Sequence, residues 1–249
     1  MPIHDDPEGL EIKTLLKHVT FRDKEVLEVG CGEGRLTFNY FERARKVVGM
    51  DPHPSSIRKA KRIARKMPNG PEFHVGRAEK LAFPDGFFDV ALFTWSLCCI
   101  DVPVMGRALD EAWRVLRAGG TLVNIQPSLH QPFGKGTVSY LAQGQFGTTV
   151  DDERYRQARL ALKYVSLIEG KFRLISEEEF MINTYYDTSA EALDDFTLDY
   201  REQYRALTHK GKDRARKTIE SMRTSKGIKA SDNVVLTVLT KTVPLKPYA

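Results

Sequence analysis

Apolar positions along this chain alternate between two periods. Short apolar runs at Lys24–Val29, Lys46–Met50, Glu72–Val75, Asp89–Phe93 and Thr121–Ile125 predict five strands. Between them lie stretches with helical spacing. Residues 9–18 place Leu10, Leu15 and Leu16 on or near one face. Phe38–Arg43 continues a helix. Ile57, Ala60, Ile63, Ala64 and Met67 recur opposite an Arg/Lys face, with Ser55 or Ser56 as the cap, and Val104–Leu116 forms a further helix. Strands alternating with helices in this way predict a doubly wound α/β fold with a mostly parallel sheet.

The rhythm breaks after Gln126. Residues 128–150 are rich in Gly, Pro and Thr and read as loop, and Asp151–Ile168 reads as a helix with Tyr155, Ala158, Leu162 and Val165 on one face. Glu178–Tyr186 reads as a strand, Thr188 with Glu191 as a capping box, and Asn233–Thr240 as a closing strand. The expected organisation is one domain over residues 1–249. Residues 1–23 form an N-terminal helical cap and 128–171 an insertion that could serve as a substrate lid.

The chemistry concentrates between the first strand and the helix after it, at Val29-Gly30-Cys31-Gly32-Glu33-Gly34. Glycines there permit a tight turn and close backbone approach to a nucleotide-like ligand at the carboxyl edge of the sheet. Asp51 ends the next strand, where a carboxylate can accept hydrogen bonds from both ribose hydroxyls. A dinucleotide fingerprint would carry its third glycine one position later, at Arg35, leaving the helix end open to pyrophosphate. The G-x-G-x-G spacing instead favours S-adenosylmethionine, which has no phosphate.

Three segments, in matching order and spacing, resemble the class I S-adenosylmethionine-dependent methyltransferases. They are Glu28–Gly34; Ala78-Glu79-Lys80-Leu81-Ala82-Phe83-Pro84-Asp85-Gly86-Phe87-Phe88-Asp89; and Glu111-Ala112-Trp113-Arg114-Val115-Leu116-Arg117-Ala118-Gly119-Gly120. The similarity is nearest to the small-molecule, quinone-biosynthesis-like subgroup and covers about residues 24–127. It implies a Rossmann-like, seven-stranded sheet whose last strand, at Asn233–Thr240, is antiparallel. It also implies a cofactor site in which Gly30, Cys31, Gly32 and Gly34 line the ligand, Glu28 supports the loop near the methionine amino group, and Asp51 holds the ribose. Pro52 would pack near adenine, Ala78 and Glu79 along its edge, and Phe93 and Thr94 would face the methionine portion. Arg77, where the family often has Asp, and Ala118, in place of Pro, depart from the pattern.

Composition adds boundaries. Hydrophobic residues make up 41%, enough for a sizeable core, and charged residues 29%. No run approaches the ~20 apolar residues of a membrane span. Three cysteines, at 31, 98 and 99, lack zinc spacing and suit a reducing cytoplasm. Cys98 and Cys99 read as two small, mostly buried thiols, and His53 and His74 as surface residues. No cluster has metal-ligand spacing. The net charge of +5 includes a basic stretch at 201–229, read as a solvated face, with RNA binding as the second interpretation.

The sequence identifies no catalytic base. His130, Tyr140 and Tyr185 are the candidates for touching substrate. A small-molecule methyl acceptor is the expected partner, S-adenosylhomocysteine the expected product. RNA methylation and a catalytically idle, cofactor-binding subunit are the alternatives.

Overall fold

The computed structural model describes residues 4–128, 151–197 and 201–242. The chain divides into two compact units, one of residues 1–11, 127–153 and 179–234, the other of residues 12–126, 154–178 and 235–249. Among the described residues, no helix is long and apolar enough to cross a membrane.

A two-residue strand, β1 (His4–Asp5), precedes the strands expected from sequence. Those follow as β2 (Glu25–Val29), β3 (Lys46–Asp51), β4 (Glu72–Val75), β5 (Phe88–Thr94) and β6 (Leu116–Pro127). The helices among them are α1 (Leu10–His18), α2 (Thr37–Tyr40), α3 (Pro54–Ala64) and α4 (Val102–Val115). Later come α5 (Asp151–Lys163), β7 (Phe172–Tyr186), α6 (Ser189–Phe196), α7 (Arg201–Ala206), α8 (His209–Glu220), β8 (Arg223–Thr224) and β9 (Gly227–Lys241).

Among the described residues the sheet has nine strands rather than the expected seven, because the two-residue β1 pairs with β7 and the two-residue β8 with β9; the other seven run in the order β4-β3-β2-β5-β6-β9-β7. The first five run parallel, with Leu27 opposite Val48 and Ala91, and Ala91 opposite Leu122. β9 runs against β6: Ser128 N donates to Asn233 O, whereas Thr240 Oγ1 donates to Gly119 O, so one strand descends as the other climbs. This is a doubly wound, Rossmann-like arrangement with an antiparallel strand beside β6.

The strands are nearly continuous apolar runs because helices cover both faces. On one face Leu27, Val29, Ala91, Phe93 and Leu122 pack with Met105, Leu109 and Ala112 of α4 and with Ala158 and Leu162 of α5. On the other, Ile57, Ala60 and Ala64 of α3 meet Phe73 and Cys31. Each fully buried large side chain contributes about 1.5–3 kcal/mol. Ile63, expected on the buried stripe of α3, is instead 38% exposed. In the smaller unit, Phe196, Ala215, Ile219 and Ile228 gather around Tyr186.

The Thr188–Glu191 capping box forms: Thr188 Oγ1 accepts from Glu191 N, and Glu191 Oε2 accepts from Thr188 N, both at 3.2 Å. The serine cap of α3 does not. Its cap position is His53, with Pro54 beginning the helix, and the His53 N–H donates to Asp51 Oδ1 at 2.8 Å. Proline lacks an N–H and has a helical φ, so the start moves ahead of the serines. β7 begins six residues before its expected start because residues 173–177 are mostly exposed and show no alternation for a sequence reading to find.

Candidate functional site

The loop after β2 is shaped by three glycines in the left-handed region, Gly30 at φ 76°, Gly32 at 56° and Gly34 at 89°. Gly30 N and Cys31 N both donate to Met50 O, at 2.7 and 3.0 Å, and Gly34 N closes a turn onto Cys31 O. The loop is thereby tied to the end of β3, where Asp51 stands. Asp51 is 7% exposed; its Oδ2 accepts from Gly32 N at 2.9 Å. Its Oδ1 accepts from His53 N and lies 3.0 Å from Nδ1 of the exposed His53 ring. A carboxylate has about four lone-pair positions, so Asp51 retains acceptor capacity towards a ligand.

The glycines are not equivalent. A side chain at Gly30 would bring its Cβ within 2.2 Å of Ser96 Cβ, and one at Gly34 within 2.6 Å of the Phe38 ring. At Gly32 a Cβ would meet nothing within 4 Å. Gly30 and Gly34 permit the loop to pack, whereas Gly32 leaves open space where a ligand can approach backbone.

Glu28 lies beneath the loop, 1% exposed. Its Oε2 accepts from Thr37 Oγ1 at 2.7 Å and from Tyr40 OH at 2.8 Å, and its Oε1 from Thr94 Oγ1 at 2.7 Å. Burial raises its pKa above the ordinary carboxylate value, with the three hydroxyls pulling the other way. Burial, with the Glu28 and Asp51 carboxylates, also pushes the Cys31 thiol up, which keeps it protonated and poorly nucleophilic.

The second and third motifs form one device. Arg114 on α4 donates to Leu81 O and Phe83 O, both at 2.8 Å, to Asp85 Oδ1, and to both oxygens of Glu111. Glu111 Oε2 in turn accepts from Leu81 N at 2.7 Å. The segment from Leu81 to Asp85 is thus clamped to α4. Just before it, Ala78 is half-buried, and the Glu79 carboxylate is held by Arg77 Nε at 2.5 Å, which lowers its pKa. Arg77, the departure from the family pattern, makes this pair.

Pro52 is exposed beside Asp51. Phe93 is fully buried in the core shared with α4, and Thr94 is bound to Glu28. Tyr185, in the smaller unit, donates its hydroxyl to Glu8 Oε1 at 2.9 Å. His130 and Tyr140 lie outside the described residues, as does most of 128–150. His53 and His74 are exposed. Cys98 is buried but Cys99 is exposed, its Sγ 3.3 Å from Trp95 O, because the short 3-10 turn Leu97–Cys99 presents neighbouring residues to opposite sides. Among the described residues, no group of His, Cys, Asp or Glu could hold a metal ion.

Sequence reasoning passed over Thr37, Tyr40 and Ser96. Ser96 Oγ donates to Val29 O at 2.6 Å, fixing the loop's entrance. Nothing local marks these residues, since each acts on a partner distant in sequence.

Residues 27–124 match the family model described as "Methyltransferase domain". Residues 27–124 therefore resemble a methyltransferase domain. The chain is 37% identical over 116 residues to phthiotriol/phenolphthiotriol dimycocerosates methyltransferase 1 of Mycobacterium ulcerans, covering 45% of this chain and 41% of the relative. It is 28% identical over 146 residues to a ubiquinone/menaquinone biosynthesis C-methyltransferase of Bradyrhizobium, covering 53% and 55%. The chain therefore spans about half the length of these relatives. The fold is shared with geranyl diphosphate C-methyltransferase of Streptomyces coelicolor, at a TM-score of 0.56 and 15% identity, over 94% of this chain and 78% of that one.

Proposed function

We propose that the protein is an S-adenosylmethionine-dependent methyltransferase acting on a small molecule. The observation that carries this reading is the Asp51 carboxylate, fixed by the Gly32 N–H beside open space, with acceptor capacity left towards a ribose hydroxyl. The names of the relatives, which concern quinones and phthiotriols, support a small acceptor. Three free thiols suit a cytoplasmic setting.

When bound, S-adenosylmethionine supplies a methyl group activated by its sulfonium. The residues present fit it. Asp51 would hold the ribose, with Pro52 along adenine and Ala78 and Glu79 at its edge. Gly30, Cys31, Gly32 and Gly34 would give backbone passage to the amino-acid portion. Glu28 acts by positioning: its buried carboxylate ties Thr94 and the first turn of α2 beneath the loop. Phe93 keeps the strand end packed and excludes water. Such a transfer relies largely on alignment and desolvation. Residues 128–171 would form a lid, carrying His130 and Tyr140 as acceptor contacts, with Tyr185 a third candidate.

Titration calorimetry with S-adenosylhomocysteine tests the assignment. The wild-type protein should give saturable heat, and Asp51→Ala should weaken binding by about tenfold or more, the loss of a charge-assisted hydrogen bond. No heat from wild type, or equal heat from both, overturns it.

A further inference from the structure

Buried amides on β6 lack hydrogen-bond partners. Leu122, Asn124 and Gln126 share the face of β6 that packs towards α4 and α5: Leu122 joins the core there, and Gln126 Nε2 donates to Tyr155 O at 3.0 Å. Asn124 is 1% exposed, and among the described residues neither its Nδ2 nor its Oδ1 has a partner. Gln126 is fully buried, and its Oε1 has none. A buried polar group left unpaired costs about 1–3 kcal/mol. Three such atoms on one strand face are a burden that Leu at position 124 would relieve. Unpaired buried groups of this kind call for a functional explanation.

Their position points to that ligand. Asn124 stands opposite Phe93 in the β5–β6 register, one residue before the Thr94 that holds Glu28. Trp95 follows in a left-handed conformation, φ 56°, strained for a bulky side chain, with its N–H on Ile125 O at 2.7 Å. Ser96 then packs on Gly30. The unpaired amides therefore sit near the carboxyl end of β6, one strand beyond the β5 that adjoins the glycine-loop strand, at the edge where this fold class binds ligands.

We propose that Asn124 and Gln126 form the polar floor of the methyl-acceptor site, and that the acceptor presents a neutral hydroxyl there. This rests on the methyltransferase reading. Asn124 needs a donor for its oxygen and an acceptor for its NH2, and the Gln126 oxygen needs a donor, so the group they meet must both donate and accept. A hydroxyl both donates and accepts. A carboxylate has no hydrogen to give, so it would leave both oxygens unpaired and facing a negative charge.

The test uses the full chain saturated with S-adenosylhomocysteine and two matched probes, phenol and benzoate, followed by ligand-observed NMR. Phenol should bind about tenfold or more tightly than benzoate, since a site built to bond a hydroxyl rejects analogues that cannot reciprocate. Asn124→Leu should weaken phenol by about tenfold while leaving S-adenosylhomocysteine affinity unchanged. The melting temperature of its ligand-free form should hold or rise. Gln126→Leu, which also loses the Tyr155 bond, is the second variant, and its phenol affinity should fall likewise. Three results overturn the proposal: no phenol binding by wild type, no preference over benzoate, or undiminished phenol binding by a folded variant. A lowered melting temperature with unchanged phenol binding would assign the amides to a buried-water network instead. If wild type fails to bind S-adenosylhomocysteine at all, the methyltransferase reading falls, and this inference with it.

Discussion

Gly30 and Gly32 adopt the same left-handed backbone in different surroundings, and the difference separates folding from binding. Alanine at either incurs about 1–2 kcal/mol of backbone strain. At position 30 the Cβ would also stand 2.2 Å from Ser96 Cβ, against a side chain anchored to Val29 O. Gly30→Ala should therefore destabilise the protein by about 2 kcal/mol more than Gly32→Ala in urea titration. Gly32→Ala should fold yet bind S-adenosylhomocysteine poorly, its methyl group filling the open space. Glu28 makes a second test at this scale. Burial raises its folded-state pKa above 4.5, so the folded protein holds that proton more tightly than the unfolded chain does. The stability this contributes is complete below that value and drains away as pH rises to the folded pKa, beyond which it stays lost. Urea unfolding from about pH 4 to about pH 8 should show wild type falling relative to Glu28→Gln across that window. A flat difference, or one of opposite slope, would contradict the assignment.

At the scale of elements, the clamp between α4 and the Leu81–Asp85 segment depends on the shape of one side chain. Arg114 reaches two carbonyls and two carboxylates with a planar fork that lysine cannot reproduce. Arg114→Lys should cost about 1–2 kcal/mol in chemical unfolding despite keeping the charge. Preserved stability would show that charge alone holds the segment. The same geometry explains why the second and third motifs occur together: one supplies carbonyls, the other the donor. Their pairing was legible as a family pattern, but its physical reason appears only when α4 is packed beside the segment it clamps.

Across the whole molecule, stability should follow burial. β2, β5 and β6 contribute Leu27, Ala91, Leu92, Leu122 and Val123, all without exposed surface, whereas α7 has no buried residue. Hydrogen–deuterium exchange read by mass spectrometry should find the amides of these three strands slowest in the larger unit and those of α7 exchanging early in the smaller one. Comparable rates for the strands and α7 would contradict this. Basic residues of α7 and α8 such as Arg201, Arg205, Lys210, Arg214 and Lys217 are exposed.

Sequence by itself determined the alternation of strands and helices, the glycine loop with Asp51 at the next strand's end, and the Thr188 capping box. Each is set by neighbours within a few residues or by a period that any sheet–helix packing imposes. Only the tertiary structure decided the rest. Gly30 is indispensable because Ser96 lies against it. Asn124 and Gln126 look like ordinary strand residues until β5 and α5 are placed around them. Whether a polar atom is paired depends on neighbours far along the chain, and no local pattern encodes it.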